Sequence, residues 1–470
     1  MKRPRKYQLI IDFIKEQIGN GTWPVGSRLP SQRELAKRFA VNRSTVITAL
    51  EELAAEGLVQ GKSGAGTIVL NNTWSLMRSG PLINWNEQVR MGTHLASLSI
   101  VQAINKAESD QRLIQLSKGE LSQELFPLRE MKTVIQQAGE ELSPFGYEDP
   151  KGYPALREEV SLYLRKKGIQ APPTSILIVS GALQALHLIS IGLLKRGSTV
   201  FLENPSYLYT LSTFQSAGMK LKGIFTDDEG IQPKMIKEEA VSGNSVLYCH
   251  PTFHNPTGAL MGSERRKELL KLAERMRLPI IEDDVYGDLW LDAPSPPPIK
   301  SFDREGNVLY LGSLSKSLAP GLRIGWLVGP EPVIDRLADL KMQTDYGSSS
   351  LSQRVASKWL VNGFYQEHLN KIRGELRRRR EVLLSALETH LGDVAEWESP
   401  AGGFFIWVKI NRDIPVAVLH SKAMAKGVLL NPGRMYSSNK LQYLRLSYAN
   451  APVDELIKGI VILETIIKDW

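Results

Sequence analysis

A small three-helix head carrying a β-hairpin, followed by a large α/β body on an open, mainly parallel sheet, is the fold class the sequence predicts. Three observations point to it. Basic residues crowd the front of the chain: residues 1–70 hold 11 Lys and Arg against 6 Asp and Glu, whereas the other 400 residues hold 47 against 44. Apolar residues at helical spacing fill that front segment, which ends in two β-rich runs around a Gly-rich tip. Beyond residue 110, short β-rich runs alternate with helical stretches, the pattern of strands joined by crossover helices.

Composition narrows the function classes. The 470 residues contain 42% apolar and 23% charged residues, ordinary globular usage that excludes a disordered or fibrous chain. No run of 18 uncharged apolar residues occurs, and MKRPRKYQ has no apolar segment behind it. Neither a membrane span nor a secretory signal is expected, and a cytoplasmic location is. The lone Cys249 excludes an internal disulfide framework and suits a reducing compartment. A basic head on a nearly neutral body predicts a polyanionic partner for the head.

The head resolves into elements. Leu9, Ile10, Phe13, Ile14 and Ile18 fall on one helical face. TWPVGSRLP is a loop ending at Ser31, an N-cap with Glu34 three residues on to complete a capping box. A short second helix runs through Leu35 to about Phe39. After the turn Ala40-Val41-Asn42, a third spans roughly Ser44 to Glu56 with Val46, Leu50 and Leu53 inward. GLVQGKSGAGTIVL then reads as a hairpin. Three helices and a basic wing make a winged helix-turn-helix layout, to be weighed against a small helical interaction domain.

The residues themselves resemble the GntR family of bacterial transcription regulators. The pattern G-x-x-L-P-S-x-R-x-L-A is followed by V-x-R-S-T-V-x-x-A-L-x-x-L-x-x-E-G-L-V and G-x-G-T, across nearly all of residues 7–70. The resemblance implies binding to double-stranded operator DNA. By it, Ser31 and Arg33 hold phosphates, Arg43, Ser44 and Thr45 open the recognition helix, and Lys62 and Gly64 form the wing at the minor groove. The chemistry agrees, since Arg offers guanine a bidentate fork and hydroxyls at helix N-termini suit phosphate. Ser31 also has a plain reading as an N-cap.

The head is assigned to residues 1–71. Residues 72–109 mix polar, Gly and Pro residues with isolated tryptophans and are expected to form a linker and arm, with Trp74 and Trp85 docking on the body. The body, 110–470, has candidate strands at 176–180, 199–203, 245–249, 278–283 and 307–313. The run Arg377-Arg378-Arg379-Arg380 sits in a helical pattern and is expected to be a solvated face rather than a second nucleic-acid site.

Chemistry-bearing residues gather at the ends of those strands. Ser313-Leu314-Ser315-Lys316 closes one, placing a potential amine nucleophile at the mouth of a sheet. Asp283 ends another, with Tyr286 three residues on. His254-Asn255-Pro256-Thr257-Gly258 is a turn, and Ser180-Gly181-Ala182-Leu183-Gln184 opens a helix whose N–H groups suit a phosphate. His250 and His254 have metal-like spacing, but Pro251 and Pro256 oppose a helix there, so no metal is expected. Cys249 reads as a small apolar strand residue.

Over roughly residues 112–450 this set resembles the fold type I aminotransferases that use pyridoxal 5'-phosphate. The separations match too, with 28 residues from Asn255 to Asp283 and 33 from Asp283 to Lys316. The resemblance implies a large mainly parallel-sheet domain with a smaller α/β domain. By it, Lys316 forms the Schiff base, Asp283 pairs with the pyridine nitrogen, and Asn255 and Tyr286 bond the ring hydroxyl. Tyr207 stacks on the ring. Ala182, Leu183, Ser313, Ser315 and Arg323 hold the phosphate, with Tyr147 reaching in from the partner subunit of a homodimer. Arg445 clamps a ligand carboxylate. Two departures stand out. Gly-Ala-Leu lacks the hydroxyl residue many relatives place after the glycine, and Tyr209 stands where some relatives keep a basic residue nearby.

A GntR-like head on an aminotransferase-like body is the layout of the MocR-type regulators, which the whole chain resembles. The resemblance implies a DNA-binding transcription regulator that senses a small amino compound through an external aldimine. The alternative is a catalytically active aminotransferase carrying a DNA-binding head.

Overall fold

In the head, Ile10, Ile11, Ile14 and Ile18 line the buried face of α1 (Lys6–Gly19). Helix α2 (Gln32–Phe39) starts at Ser31, whose Oγ accepts from the Glu34 N–H at 3.3 Å while the Glu34 carboxylate accepts from the Ser31 N–H at 2.6 Å. Such a reciprocal cap is worth about 1 kcal/mol. Ala40, in the left-handed region at φ 46°, turns the chain sharply into α3 (Arg43–Ala55). Strands β1 (Val59–Lys62) and β2 (Gly66–Val69) pair antiparallel as the hairpin. Leu35, Val46, Leu50, Leu53, Leu58 and Val69 join the α1 isoleucines in one core.

This computed structural model describes residues 6–62, 66–71, 85–92, 94, 96–140, 146–238, 241, 243–439 and 442–470. Gly64 and Trp74 lie outside the described residues. The chain divides into two compact units, Met1–Gly92 and Thr93–Trp470. In the first, Trp85 opens the short helix α4 (Trp85–Met91) and is exposed. Part of the segment expected as linker and arm is the helix α5 (Ser99–Ala107). Val101 and Ile104 on its inner face pack against Leu429, Met435 and Tyr436 of the body.

The second unit holds two main sheets. After β3 (Ile114–Gln115) come α6 (Leu128–Glu140) and α7 (Pro154–Lys166). The large sheet then contains β4 (Ile176–Val179), β5 (Thr199–Asn204), β6 (Lys220–Asp227), β7 (Gly230–Ile231), β8 (Ser245–Cys249), β9 (Ile280–Asp283), β10 (Val308–Ser313) and β11 (Gly325–Val328). Helix α8 (Ala182–Gly192) crosses from β4 towards β5. The spatial order is β4-β11-β10-β9-β8-β5-β6-β7, with β10, β9, β8, β5 and β6 mutually parallel. All five candidate strands are present.

The sheet differs from the expected one at three strands. β11 runs antiparallel between β10 and β4 because the short connection Leu314–Ile324 cannot make a helical crossover. β6 and β7 form an antiparallel edge pair without an apolar run to announce them. The smaller sheet is β12 (Ala395–Trp397), β13 (Phe405–Ile410), β16 (Tyr443–Ser447) and β15 (Asn431–Pro432), and β14 (Val428–Leu429) pairs with β3.

The arginine run also departs from expectation. In the helix Phe364–Leu391, Arg379 and Arg380 are buried. Arg379 donates to the Ala449 and Ala451 carbonyls and pairs with Glu375 and Glu124. Arg380 pairs with Asp292 at 2.6 Å. A run of four consecutive residues covers more than one helix face, so Arg377 and Arg378 stay exposed as expected while Arg379 and Arg380 turn inward. Among the described residues, no helix is long and apolar enough to cross a membrane.

Candidate functional site

The parallel strands of the large sheet end on one side, where an open α/β sheet presents its binding crevice. A cavity of about 400 Å³ lies there, lined by strand ends, the start of α8, the smaller sheet and α5. β8 delivers Tyr248 and is followed directly by His250, β9 delivers Asp283, and the turn after β10 delivers Ser315 and Lys316.

The Lys316 Nζ lies inside this cavity and donates to the Gly119 carbonyl at 2.7 Å. Burial pushes its ammonium down to about 8. Glu120 counters that shift and Arg445 adds to it. An amine held near 8 is partly neutral at physiological pH and can act as a nucleophile. The Asp283 carboxylate accepts from the Tyr248 hydroxyl at 2.8 Å and keeps one oxygen turned to the Val285 N–H at 3.4 Å. Tyr286 stacks on His250, with ring centroids 5.4 Å apart and planes 15° apart.

One end of the cavity is built for an anion. Gly181 has φ 89°, and a Cβ there would stand 2.6 Å from the Arg323 guanidinium, so only glycine fits the approach. Arg323 donates to the Ser180 carbonyl at 2.7 Å. The Ser313 and Ser315 hydroxyls lie 3.0 Å apart, and Ala182 and Leu183 begin α8 with free N–H groups. Hydroxyls, a guanidinium and a helix N-terminus suit a phosphate dianion. An amine and a carboxylate further in suit an aldehyde-bearing pyridine. The donor set therefore fits pyridoxal phosphate.

Opposite Lys316 stands Arg445, on β16. It donates to Asn255 Oδ1 at 2.9 Å and to the Ser117 carbonyl at 2.6 Å, over the Phe405 ring at 3.9 Å. Its Nε is buried and has no partner among the described residues, which leaves a donor for a carboxylate.

Comparison with known proteins agrees with both halves. Residues 6–69 match the model of the bacterial regulatory proteins, gntR family, and residues 111–461 match that of aminotransferase class I and II. The HTH-type transcriptional regulator YdfD of Bacillus subtilis is 57% identical, over 100% of this chain and 98% of that protein. The HTH-type transcriptional regulator NorG of Staphylococcus aureus is 37% identical, over 90% and 95%. The chain belongs to the GntR-family HTH-type transcriptional regulators with an aminotransferase body, the MocR-type architecture. Among solved structures, the multiple substrate aminotransferase of Thermococcus profundus matches 82% of the chain and 99% of its own, with TM-score 0.77 and 31% identity. A kynurenine aminotransferase of Pyrococcus horikoshii, in a complex with PMP, matches 80% and 95% with TM-score 0.75 and 32% identity.

In this regulator the body's sequence-predicted residues converge on the cavity with one exception. Ala182, Leu183, Tyr207, Asn255, Asp283, Tyr286, Ser313, Ser315, Lys316, Arg323 and Arg445 all line it. Tyr147 does not. It is 78% exposed and leans on Tyr346 at 5.0 Å, on the surface. Tyr209 faces Gly223 rather than the cavity. In the head, Ser31, Arg33, Arg43 and Ser44 are exposed, Thr45 is half-buried, and Lys62 ends β1.

Several lining residues carry no sequence signal. Gly119 offers its carbonyl to Lys316, and a Cβ there would press on Phe405 at 3.1 Å. Tyr248 is hidden in an all-apolar strand pattern. Glu108 is far in sequence from Asn431 and Tyr436, which share one segment. In the head, likewise without a sequence signal, Gln32 accepts at Oε1 from Arg43 Nε at 2.9 Å and orients the start of α3.

Proposed function

We propose that the body of this transcription regulator binds pyridoxal phosphate and responds to a small amino compound, and that the response is read out at operator DNA by the head. The observation that carries this reading is the convergence of Lys316, Asp283, the Gly181–Arg323 cradle and Arg445 on one cavity. When bound, the cofactor supplies an aldehyde that condenses reversibly with amines and a ring that draws electrons.

The residues divide the work. Ala182, Leu183, Ser313, Ser315 and Arg323 hold the phosphate. Asp283, fixed by Tyr248, keeps a proton on the ring nitrogen, and Asn255 and Tyr286 bond the ring hydroxyl while Tyr207 covers the ring face. Lys316 would supply the resident amine, with which an effector amine would exchange, and Arg445 would donate to the effector's carboxylate. Exchange at Lys316 with new contacts at Arg445 favours one arrangement of the body over another, which is what a ligand needs to shift an equilibrium.

In this reading residues 1–71 form the DNA-binding head, 72–109 the linker and arm, and 110–470 the sensing body of a cytoplasmic homodimer, with Tyr147 serving the partner's phosphate site. Ser31 and Arg33 take DNA phosphates, Arg43, Ser44 and Thr45 face the bases, and Lys62 and Gly64 work on the wing. The full residue set around Lys316 also favours a second reading, a working aminotransferase with a regulatory head.

The test is a visible absorption spectrum of the protein with added pyridoxal phosphate, repeated with Lys316→Ala and then with amino compounds. A band present in the wild type, absent in the variant, and shifted by one compound together with a change in operator binding supports the sensor. Sustained keto acid formation supports the enzyme. No band in the wild type ends both readings.

A further inference from the structure

The cavity carries a charge that neither the cofactor nor the Arg445 clamp uses. Glu108 follows α5 and lines the cavity, where among the described residues its carboxylate accepts only from the Ser117 hydroxyl at 3.2 Å. Among the described residues no Lys, Arg or His stands within ion-pair distance of it. Lys118, on the same wall, pairs with Glu120 at 3.4 Å and reaches Glu108 only at longer range. Burial accordingly raises the Glu108 carboxyl above its ordinary value, with Ser117 and the more distant Arg445 opposing.

A second acceptor faces the same space. Asn431, 3% exposed on β15, donates to the Tyr436 hydroxyl at 2.9 Å and leaves its Oδ1 buried and unpartnered. Tyr436 packs with Val101 and Ile104 of α5, so this acceptor and Glu108 border the α5 side of the cavity. The buried amide oxygen of Asn431 is costly until a donor arrives, and the half-buried Glu108 carboxylate on the same side favours a cationic one.

We infer that the effector is an amino acid carrying a second, cationic amino group on its side chain, with its carboxylate on Arg445, its α-amine towards Lys316 and its distal ammonium between Glu108 and Asn431. This deepens the proposed function and rests on it for the α-amine. Selectivity arises because a neutral side chain leaves both acceptors unpaired and an acidic one meets Glu108 as a like charge. Glu108 thus decides which amino acid is accepted and plays no part in the chemistry at Lys316.

The test uses the full-length protein loaded with pyridoxal phosphate, titrated with L-2,4-diaminobutyrate, L-ornithine, L-norvaline and L-glutamate while the visible band is followed. One of the two diamino acids is expected to half-saturate at a concentration roughly tenfold or more below L-norvaline, the factor expected of a charge-assisted hydrogen bond. In Glu108→Gln that ratio falls towards one, and in Glu108→Lys L-glutamate overtakes both diamino acids. Retention of the cofactor band in each variant checks that the fold is intact.

A wild type that prefers neither diamino acid, or a preference that survives Glu108→Gln, overturns the inference. Thermal stabilisation of the cofactor-free protein by the same four compounds gives an independent readout. If no cofactor band forms at all, the proposed function fails. The order of stabilisation, and its loss in Glu108→Gln, then still decides the inference about Glu108.

Discussion

Arg445 on the smaller sheet and Asn255 on the turn after β8 of the large sheet are joined by one hydrogen bond of 2.9 Å, and that bond is the floor of the ligand cavity. Both residues are buried, so the guanidinium is fixed in plane, with Phe405 beneath it at 3.9 Å and its Nε still free. A lysine placed there keeps the charge but loses the fork and the stacking. Arg445→Lys should raise the half-saturating concentration of any amino acid effector about tenfold or more. The corresponding decarboxylated amine should be little affected. Parallel titrations of an amino acid and its amine measure this, and an equal loss for both would remove Arg445 from carboxylate recognition.

Much of this site is legible in the sequence because its residues sit at strand ends and turns. Backbone demands there mark the sequence, as with the glycine of the anion cradle and Lys316 just past an apolar strand. What was illegible has a common cause. Gly119, Tyr248, Glu108 and Asn431 reach the cavity through tertiary packing, and a glutamate ending a nine-residue helix looks like any solvated acid. The arginine run failed for a related reason, since burial of Arg379 depends on where residues 449 and 451 lie, far along the chain. In the head, the Ser31–Glu34 box was readable because its spacing is local.

The Lys316 amine, pushed down to about 8 by burial, sets a pH dependence. Only the neutral amine attacks an aldehyde, so the rate of pyridoxal phosphate capture should climb by about tenfold per pH unit below 8 and flatten above it. The stability consequence has the same direction. Between pH 8 and the ordinary lysine value near 10.4 the folded protein binds fewer protons than the unfolded chain, so this group's penalty is present below 8 and fades as pH rises to that value. Stopped-flow capture rates from pH 6.5 to 9.5 provide the check. A rate still climbing at the upper end would mean that the amine is not shifted.

In the head, Gln32 holds Arg43 by a 2.9 Å hydrogen bond across the turn between α2 and α3. Arg43→Ala should cost roughly 1–3 kcal/mol on a matched operator and much less on a mismatched one. Gln32→Ala should cost about 1 kcal/mol by freeing the same arginine. Arg33→Ala should weaken binding to all sequences alike and lower the salt slope by about one. Affinities on an operator selected from random DNA, at several salt concentrations, separate these cases. Equal losses for Arg43→Ala on matched and mismatched DNA would move it from the bases to the backbone.

The last prediction concerns a buried network behind the site. Lys167 lies 3.0 Å from Asp284 and 3.2 Å from Asp288. Tyr310 donates to Asp284 at 2.7 Å, and Tyr163 and Tyr365 donate to Asp288 at 2.6 Å each. Tyr365 also meets the Ser317 hydroxyl at 2.7 Å. Asp284 adjoins Asp283, and Ser317 adjoins Lys316, so the network braces the two residues proposed to hold the cofactor. Burial alone would lower the Lys167 ammonium, but the two aspartates hold it well above its ordinary value. Against the same burial, Lys167 and the phenols hold the Asp288 carboxyl below its own. The stabilisation at Asp288 is therefore full above about pH 4 and is lost as pH falls through its depressed value. Lys167→Met strands two buried carboxylates and should cost about 3–5 kcal/mol in urea unfolding of the body at pH 7. Adding Asp288→Asn to Lys167→Met should recover part of that loss, because it removes one stranded charge. If the double variant is no more stable than the single one, the cost comes from lost packing at Lys167 and the charge argument is wrong.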